Sequence, residues 1–574
     1  MRIIDVVHQL LPTGVSLGLG LVASPSRKEC PTWPPDIFAV VGSIIDRSGC
    51  YTEASPNRSE LAKHEDYLDE VAATVEAWTN LLHVPHSLQL LWEELVTTHA
   101  GVRLDELNDN PAAQQSLFKL LAISDEASQS LGWYDDPAKA SDFQTAVFIN
   151  TLTSRAKDVY PLPYWPTSLC RMVSPDQVVV LPKSITTDKG CTFRSLSHNL
   201  ALLPCRTVLK PEWRIVSPGI GHSTPTDLHL LLVPFPYEIP KSSFELTSPR
   251  QAMRNGTTHA AFFKLRQNWL LKPDGTQLSA EEFARELILP LIEEAKVRSG
   301  GRAPDGVILP ECALNESITI DLIQILKAEG VEFLITGVLD DDDPGRRPLN
   351  KAYTVFLNKE LAAAAPQNKH HRWRVDQPQA DSYGLHFDDS GNQQWWEDID
   401  VSKRGLPFYA FRQDTSLVTL ICEDLARMEP AMNAIRAVGP NLVVALLMDG
   451  PQLGSRWPAR YASVLADEPG CSVLSLTCAA TVELSNTHFR ASKVAAGEDE
   501  PKTRCVIGRW TQARGLDPVD IVLAPDSKGV LLTLKSQARH QTTLDNRSDK
   551  SQSRELVFVA QQSLAVGQGV QQPA

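Results

Sequence analysis

The chain has 574 residues, 43% of them hydrophobic and 22% charged, with a formal net charge of -14. That length exceeds what one hydrophobic core organises and suits two or three domains of an ordinary soluble globular protein. The acidic balance argues against a protein that coats nucleic acid, whose footprint is a strongly basic surface.

Ten cysteines lie at positions 30, 50, 170, 191, 205, 312, 422, 471, 478 and 505. They form no CxxC pair and no Cys/His knuckle, so neither a structural zinc site nor a disulfide scaffold is expected. Reduced thiols of a cytoplasmic protein fit this usage.

In chain order, residues 14–23 (GVSLGLGLVA) are apolar but short, and Arg2 is the one positive side chain before them. They read as a buried strand or helix rather than a secretory signal, and no apolar stretch is long enough to span a bilayer. Residues 1–160 read as a mainly helical accessory domain. Apolar positions recur every three to four residues in 60–82, 87–99 and 112–122, the mark of amphipathic helices. In CPTWPPDIFAVVGSIIDRSGCY, Asp36 is placed to cap a helix, and Trp33, Phe38 and Tyr51 are expected in the core. Residues 161–226 are proline-rich with short apolar runs such as 178–182, and read as a packed connector containing Trp165 and Trp213.

From 227 to 540 apolar strands alternate with helices. Strands are expected at 228–235, 306–311, 332–339, 352–358, 416–422, 441–448, 472–477, 521–525 and 529–535. Helices fall near 280–298, 318–329, 428–437 and 456–467. This alternation predicts an α/β fold with strands buried on both faces, followed by a C-terminal extension at 541–574. GRAPDG and GVSLGLG lack the spacing and the Lys-Ser/Thr of a phosphate loop.

Polar residues at the C-terminal ends of buried strands face the crevice where α/β proteins bind ligands. Three segments supply them in the order Glu, Lys, Cys. Glu311 ends DGVILPE, Lys369 begins KHHRWRVDQPQ, and Cys422 closes SLVTLIC before Glu423 and Asp424. A thiol is a good nucleophile only as thiolate, a buried carboxylate near neutrality can accept and return its proton, and a fixed cation stabilises an oxyanion. Cys471 and Cys478, beside another strand, read as core.

This ordered set resembles the nitrilase (carbon–nitrogen hydrolase) superfamily over roughly residues 227–540. The resemblance implies a four-layer α-β-β-α sandwich and a Cys-Glu-Lys triad acting through an acyl-enzyme. Cys422 would be the nucleophile, Glu311 the general base and acid, and Lys369 the stabiliser of the tetrahedral intermediate, helped by the backbone N–H of Glu423. The substrate would be a small amide-like molecule, with no metal and no cofactor. The run His370, His371, Arg372 and Trp373 reads either as a solvated basic loop or as pocket lining for an anionic or nucleotide-like ligand, with His370, Trp373 and Asp424 as the expected substrate contacts. Glu316 and Glu397 are candidates for the family's second, supporting glutamate. Cys-Glu-Asp is closer to the glutaminase domains attached to NAD synthetases than to the commoner Cys-Tyr-Asp-x-Arg, which favours an amide over a nitrile. Arg427 stands one place beyond the usual arginine.

The downstream NLVVALLMDG and APDSKGVLL resemble the family's following strands and terminal hairpin. By the same resemblance the chain is expected to form a homo-oligomer. PPDIFAVVGSIIDRSGCY, FRSLSHNLALLP and KHHRWRVDQPQ are similar to segments of bacterial multidomain proteins with nitrilase-like modules, including reverse transcriptase–nitrilase antiphage defence proteins. No polymerase aspartate motif accompanies them. Two other readings stand beside hydrolysis: a nitrilase-like sensor or scaffold, and an N-acyltransferase.

Overall fold

The computed structural model describes residues 1–11, 27–55, 61–81, 83–129, 131–133, 168–170, 172–204, 208–216, 226–247, 261–341, 343, 345–357, 366–385, 387, 394–412, 415–513, 517–548 and 553–566. The apolar segment 14–23, Trp165 and Cys205 lie outside them. The protein is mixed α/β. Helices dominate its first 126 residues, and two seven-stranded sheets dominate from 210 onward.

The N-terminal helices Ile3–Leu10, Pro34–Ser48, Leu61–Leu81, His86–Thr97 and Pro111–Glu126 enclose one core around Trp33, Phe38, Trp78 and Trp92. Asn110 caps the last of them by accepting from the backbone N–H of Ala113, with Pro111 at its first position. Asp36 is buried in the first turn of its helix, and it accepts from the backbone N–H groups of Met172 and Val173. A hairpin of Val178–Pro182 and Leu200–Pro204 packs onto these helices.

The first large sheet runs in the order Gln367–Asn368, Leu349–Phe356, Phe333–Asp340, Gly306–Ile308, Asp227–Leu232, Gly529–Arg539 and Ser553–Leu564. The second runs Val519–Leu523, Cys505–Thr511, Ser472–Thr477, Leu442–Leu447, Thr415–Ile421, Gly405–Arg412 and Lys210–Ile215. Alternation along each strand sends successive side chains to opposite faces. Leu230 and Leu232 therefore enter the core shared with the second sheet, while Leu231 packs with helices Leu289–Arg298 and Glu316–Ala328. Between the sheets, Phe356 meets Tyr409 and Phe411 at ring distances of 5.5 and 5.9 Å, and Thr354 bonds Thr419 at 2.9 Å. Helices Asn433–Val438 and Trp457–Asp467 contribute Ile435 and Leu465 to the second sheet's core.

Three expectations are corrected. Lys210–Ile215, inside the expected connector, pairs in parallel with Gly405–Arg412 and so is an edge strand of the second sheet. Ser553–Leu564, inside the expected extension, completes the first sheet against Gly529–Arg539. The two strands flanking APDSK do not form a terminal hairpin, because Val519–Leu523 belongs to the second sheet and Gly529–Arg539 to the first. Side chains rather than a ladder join those sheet edges: Gln561 Oε1 accepts from Val522 N at 3.2 Å, and Ser563 Oγ donates to Val522 O at 3.2 Å.

No helix among the described residues is long and apolar enough to cross a membrane. The described cysteines are all free thiols.

Candidate active site

Glu311 follows the strand Gly306–Ile308 through Leu309 and Pro310. Its turn lies hard against Gly337 of the neighbouring strand, whose N–H donates to Pro310 O at 3.0 Å. A Cβ at Gly337 would come within 2.5 Å of Pro310 O, Glu311 Cα and Cys312 N. Glycine here is a matter of space rather than of torsion. Gly337→Ala is therefore expected to destabilise the protein by about 1–3 kcal/mol, the usual cost of forcing extra volume into a packed core, and to reduce activity with it. A denaturant titration checks this, and an unchanged midpoint would show slack at this contact.

Lys369 leaves the short strand Gln367–Asn368, and its backbone N–H donates to Asn350 O at 2.8 Å. Its ammonium donates to Glu311 Oε1 and Glu397 Oε2, both at 2.7 Å. Asn350 Nδ2 bridges the same two carboxylates, donating to the same Glu311 Oε1 at 2.8 Å and to Glu397 Oε1 at 3.0 Å. Trp373 N donates to Glu397 Oε2 at 3.0 Å. Of the two supporting glutamates considered, Glu397 is thus in the cluster. Glu316 is elsewhere, accepting from Lys351 and Tyr353.

Cys422 begins the turn Cys422–Ala426 where the strand Thr415–Ile421 ends. Its φ of +46° is a left-handed conformation that a non-glycine residue adopts only when its surroundings enforce it, and such strain clusters at functional sites. The enforcement is visible in Asp424. Its fully buried carboxylate accepts from His370 N at 3.0 and 3.1 Å and pairs with His371 Nδ1 at 3.0 Å. That clamp joins the turn after the thiol to the loop that carries Lys369.

Cys422, Lys369 and Glu311 are all buried, at 3%, 1% and 3% exposure. Burial pushes the Cys422 thiol well above its ordinary range; the Glu311 charge adds to this and the Lys369 charge opposes it. Burial also raises Glu311, with Lys369 opposing and Glu397 reinforcing. For Lys369, burial is outweighed by Glu311, Glu397 and Cys422, which hold the ammonium protonated. The resting site is thus a neutral thiol beside a carboxyl poised above the usual range and a fixed cation.

The other expected contacts resolve differently. His370 is fully buried, with Nε2 against Gly405 O at 2.9 Å, so it braces its loop. Trp373 packs edge-on against Phe263 and Tyr383 at 5.7 and 6.1 Å. Glu423 turns its side chain to Arg427, which donates to it at 2.6 Å. Asn350 had no motif to mark it, being one of many polar residues at the start of a strand. Asp449, also unmarked, stands just past the strand beside the Cys422 strand, where Ile421 faces Leu446. It accepts from Tyr383 OH at 2.8 Å and pairs with Arg456.

The Glu311 and Glu397 carboxylates and the Cys312 thiol lie within 4.8 Å of one another, a grouping that could ligate a metal. Lys369 already bridges the two carboxylates and supplies their countercharge. The donor set therefore fits an ammonium better than a divalent ion.

No family model matches the chain, and no curated protein does. Solved structures that it is similar to include members of the nitrilase (CN-hydrolase) superfamily and a glutamine-dependent NAD+ synthetase. An amidase from Nesterenkonia sp. AN1 is 14% identical, over 33% of this chain and 68% of that one, with a TM-score of 0.24. Saccharomyces cerevisiae Nit3, of branch 10 of the nitrilase superfamily, is 16% identical over 44% and 76%, with a TM-score of 0.24. The glutamine-dependent NAD+ synthetase of Acinetobacter baumannii is 10% identical over 58% of this chain and 48% of its own, with a TM-score of 0.29.

Proposed function

We propose that this protein is a nitrilase-like thiol hydrolase of amide-type carbon–nitrogen bonds, built as a four-layer α-β-β-α sandwich with a helical accessory domain. The observation that carries this reading is the buried Lys369 ammonium, held at 2.7 Å by both Glu311 and Glu397, in the electrostatic reach of Cys422.

Glu311 takes the thiol proton as Sγ of Cys422 attacks the amide carbonyl carbon. The oxyanion forms beside the Lys369 ammonium and the backbone N–H of Glu423. As the carbon–nitrogen bond breaks, Glu311 returns its proton to the amine, leaving a thioester on Cys422. Water then loses a proton to Glu311 and attacks the thioester, and the carboxylic acid departs as the thiol is restored. Glu397 and Asn350 hold Lys369 and Glu311 in register throughout.

The raised Glu311 gives a signed expectation. Its ionised form is the base, so kcat/KM should climb as pH rises through its value, placing the acid limb above the ordinary Glu value of about 4.3. Glu397→Gln removes a negative charge that raises Glu311, so the limb should move to lower pH while kcat falls about 100-fold from lost positioning. A pH–rate profile checks both. A limb that stays in place would remove Glu397 from the site.

The complete burial of the triad favours one second reading, a sensor that keeps the pocket without turnover. Ammonia release from a panel of simple amides, with intact-mass detection of the acyl adduct, separates the two. Homo-oligomer formation, a place in antiphage defence and transfer of the acyl group to an amine are further proposals, resting on the resemblance alone.

A further inference from the structure

The loop after Lys369 sends Arg372 and Arg374 away from the triad, onto a four-stranded sheet formed by Arg374–Asp376, Gln394–Glu397, Ala261–Leu265 and Phe244–Thr247. On that sheet's outer face Trp396 pairs with Phe262, and Arg374 pairs with Trp396. The guanidiniums of Arg347 and Arg372 both lie over the Phe262 ring, at 5.9 and 5.8 Å, and Arg374 lies over Trp396 at 5.8 Å.

A cavity of about 340 Å³ opens on this face, lined by Phe262, Lys264, Arg266, Arg347, Glu245 and Asp398 among others. Arg266 is held by Glu245 at 2.9 Å and by Asp341. Lys264 has no ion-pair partner among the described residues. Arg347 Nε and Asp398 Oδ1 approach to 3.0 Å, yet both atoms are buried and neither makes a hydrogen bond. The pair is close but misaligned, so it keeps one donor and one acceptor in reserve. Burial and the charge of Arg347 lower the pKa of Arg372, a sign of cations crowded together.

These features call for one kind of occupant. An anionic group is drawn by Lys264 and by the fork of Arg347. A planar ring stacks on guanidinium and aromatic faces. A ring-borne N–H satisfies Asp398 Oδ1. The volume lies within the span of small-molecule sites, about 300–1,000 Å³, and holds one mononucleotide rather than a polymer. We propose that this cavity binds a nucleotide-sized organic anion, a phosphate joined to a planar, amino-bearing ring. The site is distinct from the triad but leans on it: Asp398 follows Glu397 in sequence, and Arg372 donates to Ile399 O at 2.9 and 3.0 Å.

Calorimetry on the full-length Cys422→Ala variant with AMP, adenosine and inorganic phosphate as separate probes tests the proposal. Because that variant lacks the proposed nucleophile, the answer is independent of whether the triad turns over. AMP should bind, and adenosine and phosphate should each bind at least about ten-fold more weakly, a difference of about 1.4 kcal/mol. Adding Lys264→Glu should weaken AMP at least ten-fold with the unfolding midpoint unchanged. Adding Arg374→Glu, outside the cavity, should leave AMP binding as it was. No AMP binding at millimolar concentration, or equal binding with Lys264→Glu, would overturn the site. A single-stranded oligonucleotide that binds more tightly than AMP, and loses affinity with Arg374→Glu, would overturn it in favour of an extended nucleic-acid face.

Discussion

Replacing Cys422 with Ala is expected to lower amide turnover by about 10⁴-fold or more, to the level that binding and the oxyanion donors supply without a nucleophile. The change removes one sulfur from a packed turn, so the unfolding midpoint should hold within about 1 kcal/mol. Intact-mass analysis should show the acyl adduct on the native protein and none on the variant. A variant that keeps measurable turnover with an adduct elsewhere, on Cys312 or Cys478 for example, would remove Cys422 from the mechanism. The resting thiol is neutral because burial pushes it up. Alkylation of Cys422 near pH 7 should therefore be slow without substrate, in contrast to a thiol whose pKa is depressed by its surroundings.

The second large effect concerns stability. Arg547 is 5% exposed, donating to Asp125 at 3.0 Å, to Glu126 at 2.8 Å and to Asp545 at 3.0 Å. Tyr67 donates to Asp545 at 2.9 Å, and Asp125 also accepts the backbone N–H groups of His198, Asn199 and Leu200. The guanidinium thus ties the C-terminal segment to the helix Pro111–Glu126, and its carboxylate partners extend the tie, Asp545 to Tyr67 of the helix Leu61–Leu81 and Asp125 to the backbone entering Leu200–Pro204. Arg547→Ala leaves the carboxylates of Asp125 and Asp545 buried without their cation, which should cost about 3–5 kcal/mol.

The pH dependence has a definite sign. Burial alone would raise Asp545, but Arg547 together with hydrogen bonds from Thr543 and Tyr67 outweighs it and holds the carboxyl below its ordinary range. A depressed carboxyl contributes stability that is present above the unfolded value and lost as pH falls through the folded one. The gap between native protein and Arg547→Ala should therefore narrow on acidification below the ordinary aspartate range. Denaturant titrations across that range check it. A gap that stays constant would place the stabilisation in packing of the arginine stem instead of in its charge.

How much of this was legible depended on whether the signal was local. The helices at 61–81, 86–97 and 111–126 and the strands ending in Glu311 and Cys422 could be read because periodicity and caps are local properties. The edge strands were less legible. Lys210–Ile215 is mostly half-buried and lacks a continuous apolar run, so only its neighbour makes it a strand. Ser553–Leu564 carries the apolar run 556–560, a strand signal in itself, but only the tertiary structure decides that it closes the first sheet against Gly529–Arg539. The helix Ala479–Ala495 also went unread, since little of its surface is buried and its apolar stripe is weak.

At the site the same division holds, residue by residue. Sequence by itself determined the chemistry that was available: a strand-end thiol, a carboxylate after Pro310 and a lysine between them in chain order. Only the tertiary structure decided that Glu397 and not Glu316 shares the lysine, that Asn350 bridges the two carboxylates, and that Asp424 and His370 brace the loop that carries Lys369. The reason is physical. Hydrogen bonds of 2.7–3.0 Å among residues 28–58 positions apart are set by which strands neighbour one another in the first sheet and by where the four-stranded sheet meets it, and nothing in the local pattern of any one strand encodes that distance.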